Sequence, residues 1–446
     1  MPLLPFLGWH RLAVVFFGTA AVACAATPPP AVTLKDFLGL CGHTVQFHPE
    51  RYEGVVSVVR DYHPVSWDLA DDTSQLPPLP FAKNRVSWAH IYESWNKAGM
   101  RVHASLMIDS IPPAKWKDLS ADARAYGRAF AKMAGPGGKK WMEAVEIGNE
   151  PGNYSDADYA RAFDAMSAGI REGDPKLKIA TCNVTAGKGG KYDKPLSLFL
   201  NRLDRVDIFT VHTYAQTDGW PTWHRTFPED PATPYLKEVR DVVAWRNAHA
   251  PGKPVWVTEF GWDCATSLTG RKGDFAKWDG NVTDAAQAAY LLRSIPLFLN
   301  EGVERAHIYF FDDKDEPQMH AAAGIMRNGK PKPSWYALRQ MQSLLGDARL
   351  ERLDHDGTFY IASWRKADGS AWLMLWTAEA DREGAAAPRT FAASRVGDAI
   401  PMALRDPATP IPLNATPPAV LHATPVGPGR WSLPIGPRPI FVPVKL

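Results

Sequence analysis

From about residue 36 to 346, short apolar runs alternate with longer stretches of helical period. That rhythm belongs to parallel βα proteins, because each buried strand needs a crossover helix before the next can lie beside it. Eight runs read as strands: Phe37–Gly42, Pro64–Asp68, Arg101–Leu106, Ala144–Asn149, Lys178–Asn183, Asp207–Tyr214, Val255–Phe260 and His307–Phe311. Ser120, Ser155, Thr283 and Ser334 stand where helix N-caps are expected, and Gly135, Gly173, Gly302 and Gly346 where the helices stop. Eight units in roughly 310 residues fit a (β/α)8 TIM barrel enlarged by loops. An open doubly wound sheet is the alternative, but no glycine-rich phosphate fingerprint follows the first strand.

Beyond Gly346 the period changes. Thr358–Trp364, Ala371–Thr377 and Arg430–Leu433 alternate apolar with polar residues, and Asp368-Gly369 is a hairpin turn. Residues 347–446 therefore read as an antiparallel β-sandwich beside a barrel of residues 27–346, with Val32–Lys35 as an additional strand. Residues 1–26 carry a weakly basic start (His10, Arg11), an apolar run to Ala23 and a small-residue cleavage pattern, Ala23-Cys24-Ala25. They predict a signal peptide and a periplasmic or secreted protein. A second reading makes Cys24 a lipid attachment site. No later stretch is long and apolar enough to span a membrane. Cys41, Cys182 and Cys264 form no disulfide framework or zinc pattern. The formal net charge of +2 gives no reason to expect nucleic acid as a partner.

Two strand ends carry the chemistry. Val145-Glu146-Ile147-Gly148-Asn149-Glu150-Pro151 ends in an amide and a carboxylate, and Pro151 stops the ladder. Val255-Trp256-Val257-Thr258-Glu259 ends in another carboxylate. On strands four and seven, Glu150 and Glu259 reach one bowl although they lie 109 positions apart in the chain. Paired carboxyls across a pocket suit glycosidic cleavage, one donating a proton and the other attacking the anomeric carbon. Glu146 is the one rival carboxylate, and alternation turns it to the opposite side of its strand from Ile147.

Asn-Glu-Pro after strand four and Glu after strand seven resemble the clan A retaining glycoside hydrolases. Lys35-Asp36-Phe37-Leu38-Gly39, Pro49-Glu50-Arg51-Tyr52 and Thr258-Glu259-Phe260-Gly261-Trp262 are most similar to family thirty-nine and its exopolysaccharide-hydrolase relatives. The resemblance implies Glu150 as acid/base, Glu259 as nucleophile, Asn149 on the sugar 2-hydroxyl, and Tyr214 of His212-Thr213-Tyr214 on the nucleophile. Three places depart from the pattern. Ser66-Trp67-Asp68 stands where an arginine is common, Phe310-Phe311-Asp312 where a tryptophan is, and Gly42-His43 where Gly-x-Asn is.

The chain holds 17 tryptophans, and an aromatic face suits a sugar ring. Trp220, Trp223 and Trp262 follow strands six and seven, where stacking on a sugar and packing of long loops are equally good accounts. His43 and Trp67, at other strand ends, are candidate site-lining residues; His103 reads as a satisfied core histidine. Asp312-Asp313-Lys314-Asp315-Glu316 reads as a solvated turn, lacking the ligand spacing of a calcium loop. The expectation is an exported retaining β-glycosidase acting on an oligo- or polysaccharide without metal or cofactor. A carbohydrate-binding pseudoenzyme of the cell envelope is the alternative.

Overall fold

The computed structural model describes residues 30–43, 48–405 and 420–445. The signal-peptide segment lies outside them. Eight parallel strands close on themselves: β1 (Leu38–Gly42), β2 (Val58–Pro64), β3 (Arg101–Met107), β4 (Ala144–Ile147), β5 (Lys178–Thr185), β6 (Ile208–His212), β7 (Val255–Phe260) and β8 (Arg305–Ile308). Each pairs with its sequence neighbours, β1 also pairs with β8, and β4 joins β5 to complete the ring. The (β/α)8 barrel is the architecture expected.

Strand two is the main correction. Pro64–Asp68 is not a strand: Val65–Asp68 forms a helical turn, and the strand precedes it at Val58–Pro64. Beyond Val58-Val59 its side chains are charged or polar on both faces, so it lacks the longer apolar run that marks other strands. Arg60, Asp61 and His63 are all fully buried. An arginine is nonetheless present on this strand as Arg60, seven residues before Trp67.

Two of the four expected helix N-caps are as read. Ser155 and Thr283 accept hydrogen bonds from Asp158 N–H and Ala286 N–H. Asp118, rather than Ser120, caps Leu119–Ala134, since its carboxylate reaches two free N–H groups. Pro333 opens the last barrel helix, Pro333–Leu345, so Ser334 lies inside it and bonds Gln287 instead. Leu34–Phe37 is a short helical turn capped by Thr33, not an added strand.

Antiparallel sheets follow the barrel. One runs through Arg349–His355, Phe359–Arg365, Ala371–Thr377 and Ile440–Lys445; the other joins Ala387–Ala392, Arg430–Ile435 and Thr424–Gly427. Phe359, Leu373 and Leu375 of the first share a core with Phe391, Leu433 and Ile435 of the second. A buried ion pair ties them to the barrel: Glu229 meets Arg293 and accepts from Trp376 Nε1–H at 2.6 Å. All three described cysteines are free and buried. Among the described residues, no helix is long and apolar enough to cross a membrane.

Candidate active site

Both glutamates reach the bowl through departures from regular strand geometry. After β4, Gly148 adopts φ of +91°, a conformation that side chains resist, and turns Asn149 and Glu150 toward the mouth. Asn149 N–H then donates to Asp109 at 3.2 Å, and Asn149 C=O accepts from Asn183 N–H. On β7, Val257 pairs with Val211 but Glu259 pairs with His212, leaving Thr258 as an extra residue. This β-bulge lets Trp256 and Glu259, three positions apart, both face the barrel interior. Strict alternation would put them on opposite faces.

Around Glu259 every donor is fixed. Oε1 accepts from Tyr62 O–H at 2.6 Å and from Arg60 Nη1–H at 3.0 Å; Oε2 accepts from Tyr214 O–H at 2.9 Å. His212 Nδ1 lies 2.8 Å from Glu150 Oε1 and 3.5 Å from Glu259 Oε2. Arg60 Nη2–H also donates to Asn149 Oδ1 at 2.8 Å. Glu259 is nearly buried, whereas the Glu150 side chain keeps 27% of its surface open to the mouth.

Electrostatics separates the two acids. Burial pushes the Glu259 carboxyl up, but His212, Arg60 and the two tyrosine hydroxyls outweigh it and hold the group below the ordinary range. Burial raises Glu150, and the His212 hydrogen bond only partly opposes that. The two carboxyls are therefore pushed in opposite directions, the separation that acid-plus-nucleophile chemistry requires. Burial also keeps Tyr62 and Tyr214 as neutral hydroxyl donors.

The predicted residues sort into three groups. Glu150, Glu259, Asn149, His212 and Tyr214 meet at one point. His43 lies beside them, its ring 4.9 Å from that of Tyr62. The tryptophans divide differently. Trp262 is fully buried between Tyr235 and Tyr290 and donates to Thr226 C=O, so it presents no face to a sugar. Trp67 is not at a strand end but in the turn beyond β2, half-buried against Trp88. Trp220 is 55% exposed on the hairpin that follows Tyr214, edge-on to Trp223 and Phe275.

Arg60, Tyr62, Tyr309 and His320 complete the mouth and were not legible. Arg60 and Tyr62 alternate along Val58-Val59-Arg60-Asp61-Tyr62, a signal hidden by the misplaced strand. Tyr309 packs against Tyr62 and His320 against Tyr214. Burial drives the His320 imidazole down to about 3, so it is neutral. The acidic stretch after β8 is not a solvated turn: buried Asp313 pairs with Lys332, and Asp315 accepts from Thr266 N–H. Glu150, His212 and Glu259 each bring one ligating atom within 4.8 Å of the others. That trio has the spacing for a cation, but the Arg60 guanidinium already occupies the electrostatic role beside Glu259.

A closed parallel barrel with this carboxyl pair at its C-terminal mouth is the architecture of the clan A glycoside hydrolases, and the protein is a glycoside hydrolase with a carbohydrate substrate. A family model described as Cellulase (glycosyl hydrolase family 5) matches residues 66–292, and the chain belongs to that family. Solved structures agree on the fold. A family 39 glycoside hydrolase from Bacteroides cellulosilyticus WH2 is 17% identical with a TM-score of 0.68, over 93% of this chain and 81% of its own. A glucosidase from Croceicoccus marinus is 12% identical with a TM-score of 0.60, over 94% and 97%. AbfB, a family 51 alpha-L-arabinofuranosidase from Bifidobacterium longum, is 14% identical with a TM-score of 0.59, over 94% and 98%. No curated protein matches the chain in sequence.

Proposed function

We propose that the protein is an exported retaining glycosidase that cleaves β-glycosidic bonds of an oligo- or polysaccharide by double displacement. The observation that carries this reading is the approach of the two acids, one oxygen of each lying within 4.8 Å of the other. Retaining enzymes hold their carboxyls about 5–5.5 Å apart, whereas inverting ones leave about 6.5–9.5 Å for a water molecule.

Glu150, held protonated, donates its proton to the leaving glycosidic oxygen while a Glu259 oxygen bonds to the anomeric carbon. Glu150, now a carboxylate, takes a proton from water, and that water displaces Glu259 to release the sugar with its original configuration. Asn149, fixed by Arg60, is placed for the sugar 2-hydroxyl. Trp220 offers an open aromatic face for a sugar unit further along the chain. The leader at residues 1–26 supports export.

The test is the pair Glu150→Ala and Glu259→Ala, assayed on a panel of aryl β-glycosides with azide. Glu259→Ala should yield the α-glycosyl azide and Glu150→Ala the β-glycosyl azide. Full activity of either variant without azide overturns the assignment.

A further inference from the structure

Below the mouth, the barrel interior holds a chain of polar groups where a barrel of this kind ordinarily packs branched apolar side chains. Arg60 is gripped from below by Glu146, with Nε–H on Oε1 at 2.7 Å and Nη2–H on Oε2 at 2.8 Å. The same guanidinium donates upward to Glu259. Glu146 receives a third hydrogen bond, from His103 Nε2 at 2.5 Å. His103 Nδ1 in turn lies 3.3 Å from His307 Nε2. Arg60, Glu146, His103 and His307 are all fully buried. Room for the last of them depends on Gly39, where a Cβ would stand 2.4 Å from the His307 ring.

One buried cation is thus shared between two buried carboxylates, only one of which the reaction uses. We propose that Glu146 is a positioning residue for Arg60: it fixes the guanidinium and cancels part of its charge, so that Glu259 stays ionised yet remains basic enough to attack carbon. Bonded to an unopposed guanidinium, Glu259 would be a poorer nucleophile. This proposal rests on the reading of Glu259 as the nucleophile.

The geometry supports the division of labour. The forked contact gives Glu146 two of the five guanidinium N–H groups, while Glu259 takes one. Burial works against the Glu146 charge, but Arg60 and His103 outweigh it and bring its carboxyl down to about 2, so it is a permanent counter-charge. Burial keeps His103 neutral, and with its proton on Nε2 it donates to Glu146 without adding charge. Arg305, which also bears on His103, is neutralised by Glu143 at the barrel floor. Facing Glu259 from the other side are His212, Tyr62 and Tyr214, none of which touches Glu146.

The experiment compares Glu146→Gln and Glu146→Asp with the unmodified enzyme, following kcat and kcat/KM against pH on an aryl glycoside. Removing a negative charge favours ionisation of both catalytic acids. In Glu146→Gln both limbs of the kcat/KM profile should therefore move to lower pH, by on the order of one unit or more for the limb set by Glu259 and by less for the limb set by Glu150. Its plateau kcat should fall about tenfold with KM within about threefold. Glu146→Asp keeps the charge and should keep the limbs in place. An unmoved or upward-shifted profile in folded Glu146→Gln overturns the proposal. Should Glu146→Gln fail to fold, a shifted profile in Glu146→Asp overturns it and an unshifted one supports it. Azide rescue of Glu259→Ala is read separately: its failure removes the nucleophile assignment, whereas its success with an unmoved Glu146→Gln profile removes the positioning role alone.

Discussion

Glu150 and Glu259 meet at a single nitrogen: His212 Nδ1 lies 2.8 Å from one carboxyl and 3.5 Å from the other. Burial disfavours charge on that imidazole, but Glu259 and Glu150 outweigh it and hold it above the ordinary histidine range. Its positive character in turn lowers both acids.

Removing this shared partner has a definite sign. Without His212, ionisation becomes harder for Glu259 and for Glu150 alike. In His212→Ala the acid limb, set by Glu259, and the alkaline limb, set by Glu150, both move to higher pH. The kcat/KM profile of an aryl glycoside measures this, and limbs that stay in place contradict it. The direction is opposite to that expected for Glu146→Gln.

Tyr62 is a second hydroxyl on the nucleophile, opposite Tyr214. Tyr62→Phe removes a hydrogen bond to a buried carboxylate, worth about 1.5–3 kcal/mol. A fall in kcat of roughly 10- to 100-fold is expected, with the acid limb moved upward because Glu259 loses a donor. An unchanged kcat and acid limb would show that the 2.6 Å contact is not used.

The two tryptophans that follow β6 and β7, Trp220 and Trp262, have opposite roles. Trp262→Ala empties a fully buried site and should cost about 3–5 kcal/mol of stability, read as a large drop in melting temperature. Trp220→Ala, on an exposed hairpin, should leave the melting temperature within about 1 °C. Its effect should appear as a higher KM for long oligosaccharides but not for aryl monosaccharides. Equal KM changes for both substrates would remove Trp220 from substrate binding.

The seam between the barrel and the antiparallel sheets depends on a buried charge pair. Glu229→Gln leaves the fully buried Arg293 without its counter-charge and weakens the bond from Trp376. A loss of about 3–5 kcal/mol is expected in chemical denaturation. A loss below about 1 kcal/mol would show that the seam does not depend on this pair.

The barrel was legible because its apolar runs recur with helical stretches between them, and burial of both faces of a parallel sheet imposes that rhythm. Glu150 was legible for a local reason: Gly148, Asn149 and Pro151 mark the place where β4 must stop and turn outward. His212 and Tyr214, at the end of β6, were found instead through the resemblance of His212-Thr213-Tyr214 to the clan's motif. Strand two was missed because Arg60 and Tyr62 face the barrel interior while Asp61 and His63 face the helix Trp88–Lys97, so composition there suggests surface. The Arg60 charge is tolerated because Glu146 and Glu259 meet it across the barrel, from strands far away in the chain, and Asp61 and His63 are met by Tyr92 and Asp68 on the outer side.

The sequence by itself determined the barrel, the two strand-end glutamates and the turn that presents Glu150, since period and backbone chemistry are local properties. Only the tertiary structure decided how those glutamates differ. The bulge at Thr258 that re-aims Glu259, the Arg60 shared with Glu146 and the histidine between both acids arise from pairing across the sheet. Desolvation and charge at that meeting point, rather than residue type, separate an acid from a nucleophile.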